Sequence, residues 1–454
     1  MTLLAITNFN IVTSVLGGWI TLVGLFSYLL KERYYLSEAC ISFFAGIAFT
    51  HVAKLLKPSE YAGSKEDLDA ATLDFSRLVL GVQLVLVGVQ LPSRYLQREW
   101  KSLALLLGPG MVSMWACSSI LIWALVPKLP FLHALAIGAC VTPTDPVLSN
   151  SIVKGKFADE NVPRELRHII IAESGANDGL GYPFLFFALY LIKYTTGENY
   201  DTAGGASTAI ALFLGQTCGY VVLLSIVYGG VVGWTTKRLL HWAEKKKFVD
   251  RESFLIFPIA LALFIVGTCG MIGSDDVLAC FIAGNAFTWD DWFRLETLDD
   301  SLQPTVDMLL NMAMFMWLGA TCPWESFWTT EVILPHRLMA LGILVLLLRR
   351  LPMILSLHRH IRQITDVRQA FFVGYFGPIG VSAIFYLYVG LEFLKTLAAG
   401  DVQGADTEQL AEAMTVIIWF LIVLNVVVHG LSVPLGKLGF YLSGMSPRPI
   451  SLPL

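Results

Sequence analysis

The chain has 454 residues, 56% of them hydrophobic and 15% charged, with a mean hydropathy of +0.66. Soluble domains carry roughly a quarter charged residues, so this composition excludes a soluble enzyme or nucleic-acid-binding domain and specifies an all-α polytopic membrane protein. The net charge of −4 defines no partner, and the seven Cys (40, 117, 140, 218, 269, 280, 322) fall singly, with neither zinc-ligand spacing nor a disulfide framework.

In chain order, apolar stretches near the ~20-residue length of a membrane span fall at 11–31, 36–56, 72–91, 102–126, 131–153, 166–193, 208–234, 253–272, 275–289, 302–320, 334–357, 368–394 and 411–436. The first lacks a basic segment before its apolar run and reads as a span, not a cleaved signal peptide. Thirteen spans put the termini on opposite sides. Lys and Arg gather about three to one on one set of alternating connections, including Lys31 and Arg33, Lys154 and Lys156, and the tail with Arg448. The positive-inside rule therefore predicts a cytoplasmic C-terminus and an outside N-terminus. The basic run "KRLLHWAEKKKF" (237–248) reads as a topogenic or anionic-lipid contact, not a nucleic-acid patch.

The fifth span carries "TPTDPV" (142–147). Pro143 and Pro146 donate no backbone hydrogen bond and disfavour helix at the residues before them. Carbonyls near Thr142 and Thr144 are freed, with Asp145 among them. Freed carbonyls, hydroxyls and a carboxylate are hard oxygen ligands for a small cation; Asp145 also suits a half-helix N-cap. The twelfth span is interrupted in the same way by "FGPIG", with Gly377, Pro378 and Gly380. The two breaks hold corresponding places in halves of opposite orientation, the best sequence pointer to a transporter's binding site.

Between them, "ESGANDGLGYPF" opens at Glu173. Carboxylates are expensive at membrane depth, so Glu173 and Asp178 call for a reason. Asp178 can hold a proton or a cation, and holding both is disfavoured, which is sufficient for exchange. Asn177 reads as a tie between helices, and Gly179 and Gly181 admit a close neighbour. Arg349 and Arg350 in "LLLRRLPMIL" offer a partner for Glu173. Asp275 and Asp276 open the ninth span, either as an entry or gating funnel or as a solvated helix N-terminus. Asp74 and Arg77 read as a local ion pair, and Tyr375 and His429 as packing, with Tyr375 also a gating candidate.

"TPTDPV", "ESGANDG", "LACFIAGNAF", "RRLP" and "VGYFGPIGVSAIFY", in this order, resemble the monovalent cation/proton antiporters, above all the fungal plasma-membrane Na⁺/H⁺ antiporters of the first branch of that superfamily. The resemblance covers nearly the whole chain. It implies an inverted-repeat fold with two crossed, unwound helices, a homodimer in plasma-membrane lipid, and elevator-like exchange of Na⁺ and Li⁺ for H⁺ without a cofactor. It implies dimerisation helices over 1–101 and 251–332, core helices over 102–200 and 333–436, a linker helix and basic loop over 201–250, and a short cytoplasmic tail over 437–454. By the same resemblance Asp178 is the ion and proton carrier, with Asp145, Ser174 and the Thr144 carbonyl as further ligands. The arginine pairing with Glu173 maps to Arg349, with Arg350 as the fallback. The arginine of animal exchangers in the second unwound helix has no counterpart in "GPIG". Runner-up readings are exchange that includes K⁺, a cation channel, and an intramembrane aspartyl protease; the last lacks its Gly-x-Gly-Asp signature.

Overall fold

The structure, a computed structural model, describes residues 7–30, 34–153, 158, 161–195, 204–398 and 404–443. Lys31, Arg33, Lys154, Lys156 and Arg448 of the charge asymmetry lie outside the described residues. Among those described there is no strand, and a helix or an interrupted helix stands in each of the thirteen apolar stretches. Among the described residues seven helical stretches are long and apolar enough to cross a membrane, by length and composition.

The first half comprises α1 (Asn8–Tyr28), α2 (Glu38–Ile47), α3 (Lys65–Gln90), α4 (Trp100–Leu125), α5 (Phe131–Cys140), α6 (Pro146–Val153), α7 (Arg164–Gly179) and α8 (Gly181–Thr195). A long α9 (Gly205–Lys245) leads to α10 (Arg251–Met271), α11 (Asp276–Phe287) and α12 (Leu302–Thr321). Then come α13 (Pro335–Leu348), α14 (Leu351–Leu357), α15 (Val367–Tyr375), α16 (Val381–Ala398) and α17 (Gly404–Ser443), the last continuing past residue 436.

Local chemistry sets several boundaries. Ser64 caps α3 by accepting the Asp67 amide at 3.1 Å, and Glu66 and Asp67 place negative charge in the first turn, where the helix dipole favours it. Gly273, with φ +66°, makes the turn that divides α10 from α11. Asp366 caps α15 through the Gln369 amide at 2.8 Å.

Small residues then bring backbones together, as expected in lipid, where apolar side chains gain little from association alone. A Cβ on Gly229 or Gly233 of α9 would overlap the Ala279 or Ala283 carbonyl of α11. Helix α11 also packs on α3, α12 on α2, and α5 between α4 and α8, while α16 lies against α17 and α3. The interrupted pairs α5–α6 and α15–α16 meet inside this bundle, where irregular backbone is shielded from lipid.

Candidate functional site

The two interruptions are joined directly. Asp145 donates its amide to the Pro378 carbonyl at 2.9 Å, and its Oδ2 accepts the Val381 amide at 2.5 Å. The carboxylate expected to cap its own half-helix thus meets the N-terminus of the opposite one, α16, where the helix dipole favours negative charge. Gly380 is required here, because a Cβ would overlap that carboxylate. Behind Asp145, Ser149 Oγ donates to its carbonyl at 2.8 Å, and Thr142 Oγ1 folds back onto the Gly138 carbonyl at 2.8 Å.

Helix α7 presents its polar residues to this crossing. Asn177 grips Thr144 with both ends of its amide: Oδ1 accepts the Thr144 amide at 3.1 Å and Nδ2 donates to Thr144 Oγ1 at 2.8 Å. Ser174 Oγ lies 3.2 Å from the same hydroxyl. The expected tying role of Asn177 therefore has a specific partner, a backbone group that Pro143 and Pro146 prevent from joining a helix.

Asp178 is fully buried, and neither carboxylate oxygen has a hydrogen-bond partner. Its electrostatic neighbours are Asp145 and Ser382. An isolated buried carboxylate is too costly to leave ionised, so a proton or a cation must balance it. The main chain beside it is held: Tyr386 on α16 donates to the Asp178 carbonyl and lies 3.3 Å from the Gly179 carbonyl. Gly179 and Gly181 admit close neighbours as expected. A Cβ on Gly179 would stand 2.7 Å from Leu278, and one on Gly181 would stand 2.5 Å from the Tyr386 ring and 2.9 Å from Pro143.

The partner of Glu173 is the fallback arginine, not the one the resemblance placed first. Glu173 pairs with Arg350, not Arg349: Nη1 to Oε1 is 2.5 Å, Nη2 to Oε2 is 2.7 Å, and Arg350 Nε donates to the Val373 carbonyl at 3.0 Å. Arg349 donates instead to the carbonyls of Val141 and Gly377, with Pro143 at 3.4 Å. The reason is helical geometry. The helix breaks at these two residues, between α13 and α14, so adjacent side chains leave in different directions. Arg350 meets α7, while Arg349 meets the two carbonyl-rich ends of α5 and α15, where helix dipoles favour a cation.

The ninth span corrects two more expectations. Arg77 Nε bonds Asp276 Oδ2 at 2.5 Å, and the Asp74–Arg77 pair does not form: the closer packing of α3 on α11 gives Arg77 a buried acid. Asp275 does cap α11, accepting the Leu278 amide at 2.9 Å, but it is buried, and its Oδ2 has no partner. Tyr375 shares a 2.9 Å bond with Ser432. Sequence reading missed Tyr386 and Ser382, which look like ordinary span residues. It also missed Asn425, whose polar side chain inside a strongly apolar helix was a usable signal. Among the described residues no group of three or more His, Cys, Asp or Glu stands together as a metal site.

Relatives and solved structures agree with this architecture. The chain is 36% identical over 436 residues to a probable Na⁺/H⁺ antiporter of Schizosaccharomyces pombe, covering 94% of this chain and 56% of that one. It is 34% identical to a Na⁺/H⁺ antiporter of Saccharomyces cerevisiae, covering 97% and 44%. Against these relatives the chain spans about half their length. A second Schizosaccharomyces pombe Na⁺/H⁺ antiporter is 31% identical, with 95% of this chain and 90% of that one covered. The fold matches a sodium proton antiporter of Methanocaldococcus jannaschii, with a TM-score of 0.65 at 18% identity over 91% of this chain and 97% of the other. With residues 19–435 matching its transmembrane region, the chain belongs to the sodium/hydrogen exchanger family.

Proposed function

We propose that the chain is a secondary active antiporter that exchanges Na⁺ for H⁺ by alternating access, with Asp178 as the carrier. The observation that carries this is the contrast among three buried acids. Glu173 is closed by Arg350 and Asp145 is committed to the Val381 amide, whereas both oxygens of Asp178 are unpartnered. Asp178 is thus the acid whose charge must be met by a mobile species. A proton on the carboxylate removes the charge that binds Na⁺, and a bound Na⁺ disfavours the proton. One site that holds either guest, opened in turn to each face, couples the two gradients without a further energy source.

In this reading Ser174 and the Thr144 carbonyl complete the cation's oxygen shell, and Asp145 contributes charge from the crossing. Asp275 serves entry from one face; Asp276, closed by Arg77, does not. Helices within 102–200 and 333–436 form the moving core and those within 1–101 and 251–332 the dimerising part of a homodimer. The movement is elevator-like, with the linker helix and basic loop at 201–250. The C-terminus faces the cytoplasm, and the protein exports Na⁺ and Li⁺ across the plasma membrane. Basic connections meet anionic lipid. The names of the fungal relatives support Na⁺/H⁺ antiport.

Reconstitution tests it. Proteoliposomes carrying an internal pH dye should show proton movement when Na⁺ or Li⁺ is added, reversing when an imposed pH gradient is reversed. Flux with K⁺ equal to that with Na⁺ would replace the sodium reading by the broader one. Cation flux without proton movement would sink antiport altogether.

A further inference from the structure

Beside the second interruption, one face of α17 carries three polar side chains at the spacing of successive helical turns: Asn425, His429 and Ser432. Asn425 and Ser432 are anchored to their own helix through a carbonyl four residues earlier, and the His429 ring lies beside the corresponding one. Asn425 Nδ2 donates to Leu421 at 2.7 Å, His429 Nδ1 lies 3.2 Å from the Asn425 carbonyl, and Ser432 Oγ donates to Val428 at 2.6 Å.

Each then reaches out to the break with its remaining polar atom. Asn425 Oδ1 accepts the Ile379 amide at 3.2 Å, and His429 Nε2 lies 3.0 Å from the Tyr375 carbonyl. The Tyr375 hydroxyl donates to Ser432 Oγ at 2.9 Å, since the serine's own proton is engaged. One helix face therefore holds both ends of the gap between α15 and α16: the last carbonyl of one half-helix and an amide just before the other. Those are the groups that a helix end leaves without intrahelical partners. A void of about 10 Å³, room for one water at most, lies among Arg349, Tyr375, Gly377, Asn425 and His429.

We propose that this face is the clamp that fixes the second interruption, and that His429 is a positioning residue for the ion site. The chain of contacts is continuous. Holding Tyr375 and Ile379 fixes the Pro378 carbonyl and Val381 amide, which hold Asp145. Next to Asp145, Thr144 is gripped by Asn177, the neighbour of Asp178. The Tyr375 carbonyl can only accept, so the clamp places the single ring proton of neutral His429 on Nε2, at the shorter of its two carbonyl contacts, and leaves Nδ1 beside the Asn425 carbonyl without a bond; a glutamine amide can supply the same donor.

The transport consequence rests on the antiport reading; the clamp itself does not. The test uses the full chain with His429→Leu and His429→Gln, measured by hydrogen–deuterium exchange over residues 375–381 and by Na⁺-driven proton flux. His429→Leu should speed exchange at these amides on the order of tenfold and lower the maximal flux by a similar factor. His429→Gln should stay within about threefold of the wild type in both readouts. Wild-type protection in His429→Leu overturns the clamp. Equal damage in both variants shows that shape, not the donor, matters and overturns the role of His429. Should His429→Leu fail to fold, Asn425→Ala is read on the same amides, and unchanged exchange there overturns the clamp. A wild-type chain without Na⁺-driven proton flux fails the antiport reading, while the exchange measurement still decides the clamp.

Discussion

Arg350 and Glu173 form a closed, two-pronged ion pair inside the bundle, each nitrogen of the guanidinium fork facing one carboxylate oxygen at 2.5 and 2.7 Å. Both side chains are almost wholly buried, so their charges are compensated by each other and not by water. Removing one partner leaves an uncompensated buried charge, which typically costs about 3–5 kcal/mol. Glu173→Gln should therefore lower thermal stability in detergent sharply, and Glu173→Leu combined with Arg350→Met should recover much of the loss. A stable, inactive Glu173→Gln would instead move Glu173 into the transport step.

Asp178 has the opposite character. Neither oxygen meets a hydrogen-bond donor in good geometry, and Ser382 is its polar neighbour, so Asp178→Asn keeps the shape of the side chain and removes no ion pair. The variant should melt no lower than the wild type by more than about 1 kcal/mol, because it removes a charge that burial makes costly and keeps the side chain's shape. It should abolish Na⁺-dependent proton movement in proteoliposomes. Retained exchange would disqualify Asp178 as carrier.

Asp145 separates a capping role from a charge role. Asp145→Asn keeps an acceptor for the Val381 amide, while Asp145→Ala loses it. The alanine variant should be less stable by about 0.5–2 kcal/mol, the usual worth of an N-cap, and the asparagine variant by less. Equal melting temperatures for the two would contradict the cap.

Gly380→Ala tests the crossing itself. A Cβ at Gly380 would overlap the Asp145 carboxylate, so the helices must part or the carboxylate must turn away from α16. Transport should fall at least as far as in Asp145→Ala. Wild-type flux in Gly380→Ala would show that the close approach is not needed.

Competition at one carboxylate gives a sign for pH. A proton and Na⁺ exclude each other, so lowering the pH on the Na⁺ side should raise the apparent KM for Na⁺. The rise should approach tenfold per pH unit once the protonated form dominates. An apparent KM that does not change with pH would mean separate sites for the two ions.

The thirteen apolar stretches were legible as helical because burying an apolar run in lipid leaves the backbone no partner but itself. The two breaks were legible for the converse reason: Pro143, Pro146, Gly377 and Pro378 withdraw donors or remove side chains wherever they stand. Asp145, Asn177 and Asp178 were identifiable as polar groups in apolar surroundings, each needing an explanation. Composition and spacing carry that information without reference to any neighbour.

Which group supplies each explanation was settled only by the packing of distant segments. Adjacent arginines differ by a rotation about the backbone, and sequence holds no record of which meets Glu173 and which meets the carbonyls of Val141 and Gly377. Arg77 chose Asp276 over the nearer Asp74 because α3 packs on α11. The grip of His429 and Asn425 on the second break likewise exists only once α17 lies beside it. The sequence alone determines where polar groups are stranded in the membrane. Partnership is a short-range matter of a few ångströms between residues tens to hundreds of positions apart, so only the folded arrangement decides which acids are closed by a partner and leaves the Asp178 carboxylate without an ion pair.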